Sequence, residues 1–379
     1  NIEEKNIDNL VEKVVEMAKV VPMDKFCGLA NKNEIEKFPK FNNADLNLCD
    51  PYKPSIKEIN ENVQELENSA LENKKIINSE GAELSFSQVK YKVMASNGFS
   101  TEIKKTHSDY IIAVLAGNSN SMERAYDYKS KVFFNDLGNF KKVGQKVSVD
   151  AIKKLNSKKI KTCKSDVIFD SKISSSLLSN LFSACNASSI IKGTSFLKSK
   201  KGEKIFKDGI NIVDDPHMKK RLRSKFFDAE GITTQKKNLV EDGTLKFFFN
   251  CLSTARQLDD KPSGHASRSV SSIPNASYTN LYLEKGKYKI RDMIKSMKKG
   301  LLVTELMGSS INYSNGDYSR GASGFWIENG EILFPVSEIT VAGNLNKIFS
   351  ELIPADDLKF NFGVNAPSVL VENITLGGI

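Results

Sequence analysis

The chain has 379 residues, of which 40% are hydrophobic and 27% charged. These values exclude a disordered chain and a small disulfide-stapled module, and they predict two or three folded domains. The formal charge of +9 is uneven, since residues 301–379 hold three basic and nine acidic residues, and all but seven of the cations are Lys. This favours a solvated lysine surface over a nucleic-acid site, which would draw on the planar guanidinium of Arg.

Two helices are predicted in the N-terminal part of the chain. Apolar residues recur at helical spacing over residues 2–18 and again over 56–70. Ser55 is a good N-cap for the second helix, with Glu58 at the capping-box position. The intervening residues 23–54 are rich in Pro and Asn and are predicted to be mostly irregular.

An antiparallel meander is predicted after the second helix, because the apolar period changes from helical to alternating. The clearest strand patterns lie at residues 89–93 and 110–116. Residues 122–130 fit either a helix or a further strand. Residues 149–155 predict a helix, and the Lys-rich stretch 157–161 predicts a linker.

Strands are predicted to dominate the remainder of the chain. A short strand at 166–169 and a Ser-rich helix at 174–187 precede them, and turn residues at 241–243 lead into a strand at 244–249. The segment 316–324 contains three glycines and predicts a tight turn system between strands, with its backbone closely packed or presented to a ligand. Helices are also predicted near 251–258, 290–299 and 345–352, and strands at 325–327, 332–335 and 369–371.

These patterns predict an α+β protein, in which N-terminal helices pack with an antiparallel sheet and a β-rich domain of mostly antiparallel strands follows. A domain boundary is expected near residue 160. Residues 1–54 would form an N-terminal helical region, 55–160 a central α+β domain, and 161–379 the β-rich C-terminal domain.

The sequence contains few candidates for catalysis. Its three histidines, His107, His217 and His265, lack an HExxH motif or a Cys/His cluster, so a zinc site would need ligands from scattered positions. His217 follows Asp214 and Asp215 and could pair with a carboxylate, although a polar loop is the simpler interpretation. His265 lies in a loop predicted to be flexible, from which it could contact a ligand.

The cysteine pattern and the hydropathy predict the compartment. The number of cysteines is odd and they are widely spaced, which favours free thiols in a reducing environment: Cys27, Cys49, Cys163, Cys185 and Cys251. No apolar run reaches membrane-spanning length, and the first residues lack a signal-peptide pattern. A cytoplasmic protein without a membrane partner is expected.

Residues 316–332 read GDYSRGASGFWIENGEI, and ITVAGN follows at 339–344. This block resembles the C-terminal signature of the TldD/PmbA family, and most closely its PmbA branch, also called TldE. The resemblance covers nearly the whole chain from about residue 55. Because family members usually have a longer N-terminal region, residues 1–54 are expected to be a remnant of it. Further family features occur in order at residues 78–81, 228–231, 278–280 and 366–371.

The resemblance implies a cytoplasmic, heterodimeric zinc metalloprotease system that degrades or trims unfolded peptides. In this family the TldD-type partner carries an HExxxH helix and a distal Cys that bind zinc, with the Glu as general base. The implied role for this chain is a non-catalytic TldE-like subunit without bound zinc, inactive unless a TldD-like partner is present. Extended peptides are the implied substrate, and a homodimer of the isolated chain is also compatible with the resemblance.

The zinc-binding helix of the family corresponds to the predicted helix 174–187. Ser179 and Asn180 then occupy the His-Glu positions and Ala184 the second His position, while residues 359–363 lack the distal Cys. Hydroxyl, amide and methyl groups supply neither an imidazole ligand nor a carboxylate base. Candidate cleft or interface residues, with a fold-defining turn as the alternative, are Gly316, Asp317, Tyr318, Ser319, Arg320, Gly321 and His265.

Two alternative functions stay open from the sequence. The chain could be a self-sufficient metallopeptidase that uses His217 with Asp214 and Asp215. It could also be a nucleic-acid-associated regulator that uses its Lys-rich first 300 residues, in line with an older family label of gyrase modulation, although a nucleic-acid partner is disfavoured by the charge pattern.

Overall fold

An amphipathic helix, α1 (Ile7–Val20), lies near the N-terminus of the computed structural model, which describes residues 6–35, 43–118, 121–269 and 271–379. The predicted helix is confirmed over these residues, while its expected start at residues 2–5 lies outside the described part. No residue of α1 is buried, and Leu10 and Val20 are 62% and 84% exposed. The apolar pattern therefore predicted the helix correctly, although its apolar side chains are not packed against other described residues in a core.

The second helix, α2 (Ile56–Leu71), begins as predicted, because the Ser55 hydroxyl accepts a hydrogen bond of 3.1 Å from the backbone N–H of Glu58. The Glu58 carboxylate accepts from the hydroxyl of Tyr52 at 2.5 Å. Helix α2 packs closely on α3 (Phe140–Lys153), in which Gly144 faces α2. This helix pair covers a three-stranded sheet.

The central sheet consists of β1 (Ile76–Met94), β2 (Ser100–Asn118) and β3 (Ser121–Lys131), paired in that order as an antiparallel meander. The predicted meander is confirmed, and residues 122–130 belong to a strand rather than a helix. Register is set by burial, since Tyr110, Ile112 and Val114 alternate into the core beneath α2 and α3.

The described residues of the C-terminal part form many short strands and five helices. The helices are α4 (Ser171–Ala184), α5 (Ala187–Ile191), α6 (Leu252–Gln257), α7 (Ile290–Ser296) and α8 (Leu345–Glu351). The strands are β4 (Cys163–Phe169), β5 (Ile212–Asp214), β6 (Lys237–Glu241), β7 (Thr244–Leu245), β8 (Ala266–Ser267), β9 (Asn275–Ala276), β10 (Leu281–Leu283), β11 (Lys299–Asn312), β12 (Asp317–Glu328), β13 (Glu331–Asn344), β14 (Ile353–Pro354), β15 (Val364–Asn365) and β16 (Val369–Gly377).

Five of these strands close into a barrel. Strands β13, β12, β11, β4 and β16 pair in that order, and β13 pairs again with β16. We call this the C-terminal barrel. A side sheet pairs β15, β10, β5, β6 and β7. Most pairings are antiparallel, the exceptions in these two sheets being β4 with β11 and β10 with β15. The predicted α+β class with a β-rich, mostly antiparallel C-terminal part is confirmed.

The glycine-rich segment 316–324 has the closely packed backbone that was predicted, but most of it is a strand and not a turn system. Only Gly316, at φ +85°, lies in the turn, and the rest belongs to β12 in the middle of the barrel sheet. A Cβ on Gly324 would overlap the carbonyl oxygen of Leu302 on β11. Glycine is therefore needed there for close strand approach and not for a turn.

Two further predictions required correction. The strand expected at 244–249 ends at Leu245, because Phe249 turns into the core, where its side chain is completely buried. The Ser-rich helix expected at 174–187 starts earlier and breaks in two, since Asp170 caps α4 and the Asn186 side chain starts α5 as a new N-cap. Within the described residues, no helix has the length and apolarity needed to cross a membrane.

Candidate functional site

Helix α4 lies between the C-terminal barrel and the side sheet, in contact with β11, β10 and β15. It starts directly after β4, because the Asp170 carboxylate accepts from the backbone N–H of Lys172 at 2.9 Å. One side of α4 buries apolar residues such as Leu177 and Leu181. The other side is partly exposed and carries three serines at intervals of four, namely Ser175, Ser179 and Ser183, while the Ser176 hydroxyl is buried.

The three positions that the family resemblance aligns with the zinc-binding motif, Ser179, Asn180 and Ala184, all lie on this helix. The Ser179 hydroxyl donates to the carbonyl of Ser175 at 3.3 Å, and Ala184 is completely buried. The Asn180 amide oxygen accepts from the Tyr313 hydroxyl at 3.1 Å, at the turn between β11 and β12. These hydroxyl, amide and methyl groups do not fit a zinc ion, which binds imidazole, thiolate or carboxylate.

No group of three His, Cys, Asp or Glu side chains in the described part of the chain is placed to hold a metal ion. The histidines lie on separate elements. His107 is on β2, with its Nε2 atom 3.6 Å from Asp109, and the Nε2 atom of His217 is 3.2 Å from the Thr234 hydroxyl. Burial lowers the pKa of His217, which favours its neutral form.

His265 is buried, in contrast to the predicted flexible loop. It is 2% exposed, and its Nε2 atom lies 3.0 Å from an oxygen of the fully buried Asp214. The same carboxylate accepts from the backbone N–H of Thr279 at 2.7 Å and from its hydroxyl. Asp214 therefore pairs with His265, whereas Asp215 accepts from the backbone N–H of His217 at 2.9 Å.

The predicted cleft segment 316–321 is only partly accessible. Tyr318 is 2% exposed within the barrel, and burial raises its pKa to about 12. The Arg320 Nε atom donates to the carbonyl of Gly308 at 2.7 Å, and Asp317 accepts from the Asn315 amide at 2.7 Å. Ser319 and Gly321 are half-buried strand residues of β12. These contacts stabilise the β11–β12 hairpin, whereas His265 belongs to the separate cluster around Asp214.

A cationic side chain occupies the region expected to correspond to the distal Cys. A Cβ on Gly363 would lie 2.6 Å from Cδ and 2.7 Å from Nε of Arg223. The Arg223 guanidinium lies 4.2 Å from the ring centroid of Tyr278 and donates to the Tyr278 carbonyl at 3.1 Å. The Tyr278 ring in turn packs edge-on against Phe182 of α4, with 4.9 Å between centroids. Arg223 is thus connected to α4 through two aromatic rings.

Two more cations meet at the carbonyl of Phe360. Arg221 and Lys131 both donate to the carbonyl oxygen of Phe360, at 2.6 and 2.9 Å. Lys131 ends β3, so the central sheet meets the C-terminal part at this point. Burial, followed by the charges of Arg221 and Lys129, lowers the pKa of Lys131 to about 8. We call Lys131 and Arg221 the cationic cluster.

Sequence analysis missed the cationic cluster, although a signal was present. Residues 219–225 read KKRLRSK and contain five cations in seven positions. Such a run predicts a site for anions more specifically than the total charge does. The contribution of Lys131, 90 positions before Arg221 in the chain, could not be predicted, because it depends on tertiary contact.

Comparisons with known proteins assign nearly the entire chain to one protein family. The family models described as the PmbA/TldA metallopeptidase central and C-terminal domains match residues 49–155 and 162–378. A metalloprotease PmbA homolog of Buchnera aphidicola from Acyrthosiphon pisum is 33% identical over 99% of this chain and 81% of its own length.

Two solved structures are similar to the chain over its whole length. A Bacteroides thetaiotaomicron protein, named as a proposed modulator of DNA gyrase, has a TM-score of 0.90 at 29% identity and is covered over 84% of its length. TldE from Thermococcus kodakarensis has a TM-score of 0.83, with 86% of its length covered, and its 22% identity makes this a similarity of fold.

Proposed function

The chain belongs to the PmbA/TldD metallopeptidase family, and we propose that it is a non-catalytic, TldE-like subunit of a heterodimeric zinc protease that degrades or trims unfolded peptides. One observation carries this proposal. The helix that should supply zinc ligands presents Ser179, Asn180 and Ala184, which offer neither ligands nor a general base. The peptide bond would be cleaved at the zinc site of a TldD-like partner.

The proposed contribution of this chain is a wall of the substrate chamber. The Arg223 guanidinium lies over the Tyr278 ring, and that ring packs edge-on against Phe182 of α4. We infer that these side chains and the partly exposed serines of α4 line this wall. Main-chain hydrogen bonds at an exposed sheet edge would hold an extended peptide with little regard to its side chains, which suits a substrate of variable sequence. The five cysteines are all free thiols, in keeping with the proposed cytoplasmic location.

Reconstitution with a purified TldD-like partner tests the proposal. Cleavage of an unfolded polypeptide is measured with this protein alone, the partner alone and the mixture, and zinc is quantified in each sample. We expect zinc only in samples that contain the partner, and full cleavage only in the mixture. Stoichiometric zinc and cleavage with this protein alone would refute the proposal and support the self-sufficient peptidase.

A variant separates a direct catalytic role from chamber formation. Replacement of His217 by Ala should leave cleavage by the mixture within about twofold of the parent protein, because the imidazole contacts the Thr234 hydroxyl and belongs to no group of three possible metal ligands among the described residues. A loss of cleavage with retained folding and retained binding to the partner would indicate that His217 participates in the reaction.

A further inference from the structure

A cavity of about 290 Å³ lies between the central sheet and the C-terminal barrel. Helix α3 and Tyr126 of β3 form one wall, Thr304 and Phe325 of the barrel form another, and the first residues of α4 complete it. We call it the α3–barrel cavity. Its volume is at the lower end of the about 300–1,000 Å³ found for small-molecule sites, which suits a ligand of about one amino-acid residue.

Ion pairs in the walls neutralise part of the charge around this cavity. The ammonium of Lys154 lies 2.7 Å from the Glu305 carboxylate, and these two side chains are only 15% and 16% exposed. The ammonium of Lys146 lies 3.1 Å from Asp150 and 3.1 Å from Asp127. These side chains therefore compensate one another and shape the walls.

Three other groups of the cavity lack a comparable partner. Asp170 forms no ion pair in the part of the chain that the structure describes, and its carboxylate accepts there only from the Lys172 N–H, at 2.9 Å. The Lys172 ammonium lies 3.9 Å from Asp127, which Lys146 already binds at 3.1 Å. The Thr304 hydroxyl is buried without any hydrogen-bond partner among the described residues. Buried polar groups are normally paired, so the cavity leaves an anion, a cation and a hydroxyl to be satisfied.

These three groups are close enough to act on one ligand. The backbone N–H of Asp170 donates to the carbonyl of Val303 at 2.9 Å, which places Asp170 next to Thr304. Burial lowers the pKa of Lys172, and the charge of Lys146 also lowers it. Burial raises the pKa of Asp170 in spite of the hydrogen bond from the Lys172 N–H. The cavity therefore disfavours one positive and one negative charge, and a ligand that carries both charges would stabilise both groups.

The mixture of charges favours a zwitterion over a simple ion. Inorganic phosphate would meet the carboxylates of Asp150, Asp170 and Glu305 in the same cavity. A metal ion would meet several lysines, and no three His, Cys, Asp or Glu side chains of the described residues are placed to hold one. An amino acid carries an ammonium and a carboxylate on adjacent groups, and the rings of Tyr126 and Phe325 offer an apolar surface for its side chain.

We propose that the α3–barrel cavity binds a free amino acid with an aromatic or large apolar side chain. Lys172 would bind its α-carboxylate, Asp170 its α-ammonium, and the Thr304 hydroxyl would donate to the same carboxylate. Because α3, α4 and the barrel all line the cavity, the ligand would hold the central sheet and the C-terminal part in one arrangement. Binding requires neither a TldD-like partner nor cleavage, so the site is independent of the proposed function.

Isothermal titration calorimetry of the full chain tests the site. The probes are L-phenylalanine, L-leucine, phenylalanine amide, N-acetylphenylalanine and the dipeptide phenylalanylglycine. The amide lacks the carboxylate, and the N-acetyl derivative lacks the ammonium. We expect phenylalanine to bind at least about tenfold more tightly than either singly charged analogue, because each analogue lacks one charge-assisted interaction.

Variants locate the site. Thr304→Val should weaken phenylalanine binding about threefold to tenfold without lowering the thermal unfolding midpoint, because a buried hydroxyl with no partner does not stabilise the fold. Lys172→Met should remove the preference for phenylalanine over its amide, because Met keeps the length of the side chain but not its charge. Lys198→Met, an exposed substitution with the same change of charge, is the matched control and should leave all affinities unchanged.

Absence of binding by both amino acids, or equal affinity for phenylalanine and its two singly charged analogues, would refute the site. Equal losses in Lys172→Met and Lys198→Met would place any binding elsewhere and would also refute it. Tighter binding of phenylalanylglycine than of phenylalanine would overturn the assignment to a free amino acid and favour a peptide. Stimulation of a TldD-like partner without amino-acid binding would refute only the site, and the reverse result only the proposed function.

Discussion

Replacement of Asp214 by Ala is expected to destabilise the protein strongly without involving any catalytic step. Asp214 is completely buried and accepts from His265 and from both the backbone N–H and the hydroxyl of Thr279. It thereby connects β5 to the loops that precede β8 and β10, so its loss removes three long-range contacts at once.

The size of the loss in unfolding free energy follows from the buried hydrogen-bond donors that would lose their acceptor. Each buried donor without an acceptor costs about 1–3 kcal/mol, and removal of the carboxylate leaves His265 and both donors of Thr279 without their acceptor. Since His265 is only 2% exposed, water cannot easily replace the carboxylate. We expect a loss of about 3–5 kcal/mol, a large part of the about 5–15 kcal/mol typical of folded proteins. Asp214→Asn should cost less, because the amide oxygen still accepts from Thr279.

Urea unfolding measures this loss. Trp326, the only tryptophan of the chain, lies on β12 and reports unfolding of the C-terminal barrel by fluorescence. Asp356→Asn, an exposed substitution, is the control and should change the free energy of unfolding by less than about 0.5 kcal/mol. An Asp214→Ala variant that unfolds at nearly the parent urea concentration would refute a structural role for the Asp214–His265 pair and reopen a catalytic one.

Two further predictions concern stability. Gly144→Ala would normally stabilise a helix by about 1 kcal/mol, but here it should destabilise by about 1–3 kcal/mol, because the new Cβ overlaps the Leu66 carbonyl oxygen and the Ser69 hydroxyl of α2. A higher urea midpoint for this variant would contradict the close helix contact. Burial raises the pKa of Glu230 to about 7, although its carboxylate accepts from the Leu252 N–H. The folded state then holds a proton that the unfolded state has released, so the contribution of Glu230 to stability falls as the pH rises from about 4.5 to about 7. Glu230→Gln should gain stability relative to the parent protein between pH 5 and pH 7, and a constant difference in urea midpoint over this range would show that the carboxyl group titrates normally.

Elements dominated by local chemistry were predicted well from the sequence. The capped helix α2 follows from Ser55 and an apolar repeat, and the meander follows from alternation between turn residues. These features depend on hydrogen bonds and side-chain periodicity within a few residues. The residues nearby in the sequence are therefore sufficient to predict them.

The glycine-rich segment shows where local information becomes ambiguous. Gly316 adopts the positive φ of a turn, and Gly324 allows two strands to approach closely. The sequence alone does not distinguish these two requirements for glycine. Only the neighbouring strand β11, whose Leu302 carbonyl leaves no room for a Cβ, distinguishes them.

The sequence by itself determined the α+β class and most helices and strands, and it predicts that Ser179, Asn180 and Ala184 stand at zinc-ligand positions. The tertiary structure alone decided that His265 pairs with Asp214 in the core and that Lys131 joins Arg221 at the Phe360 carbonyl. These partners are 51 to 229 residues apart in the chain. Burial and charge pairing at such separations depend on how the sheets pack together, which the local sequence pattern does not specify.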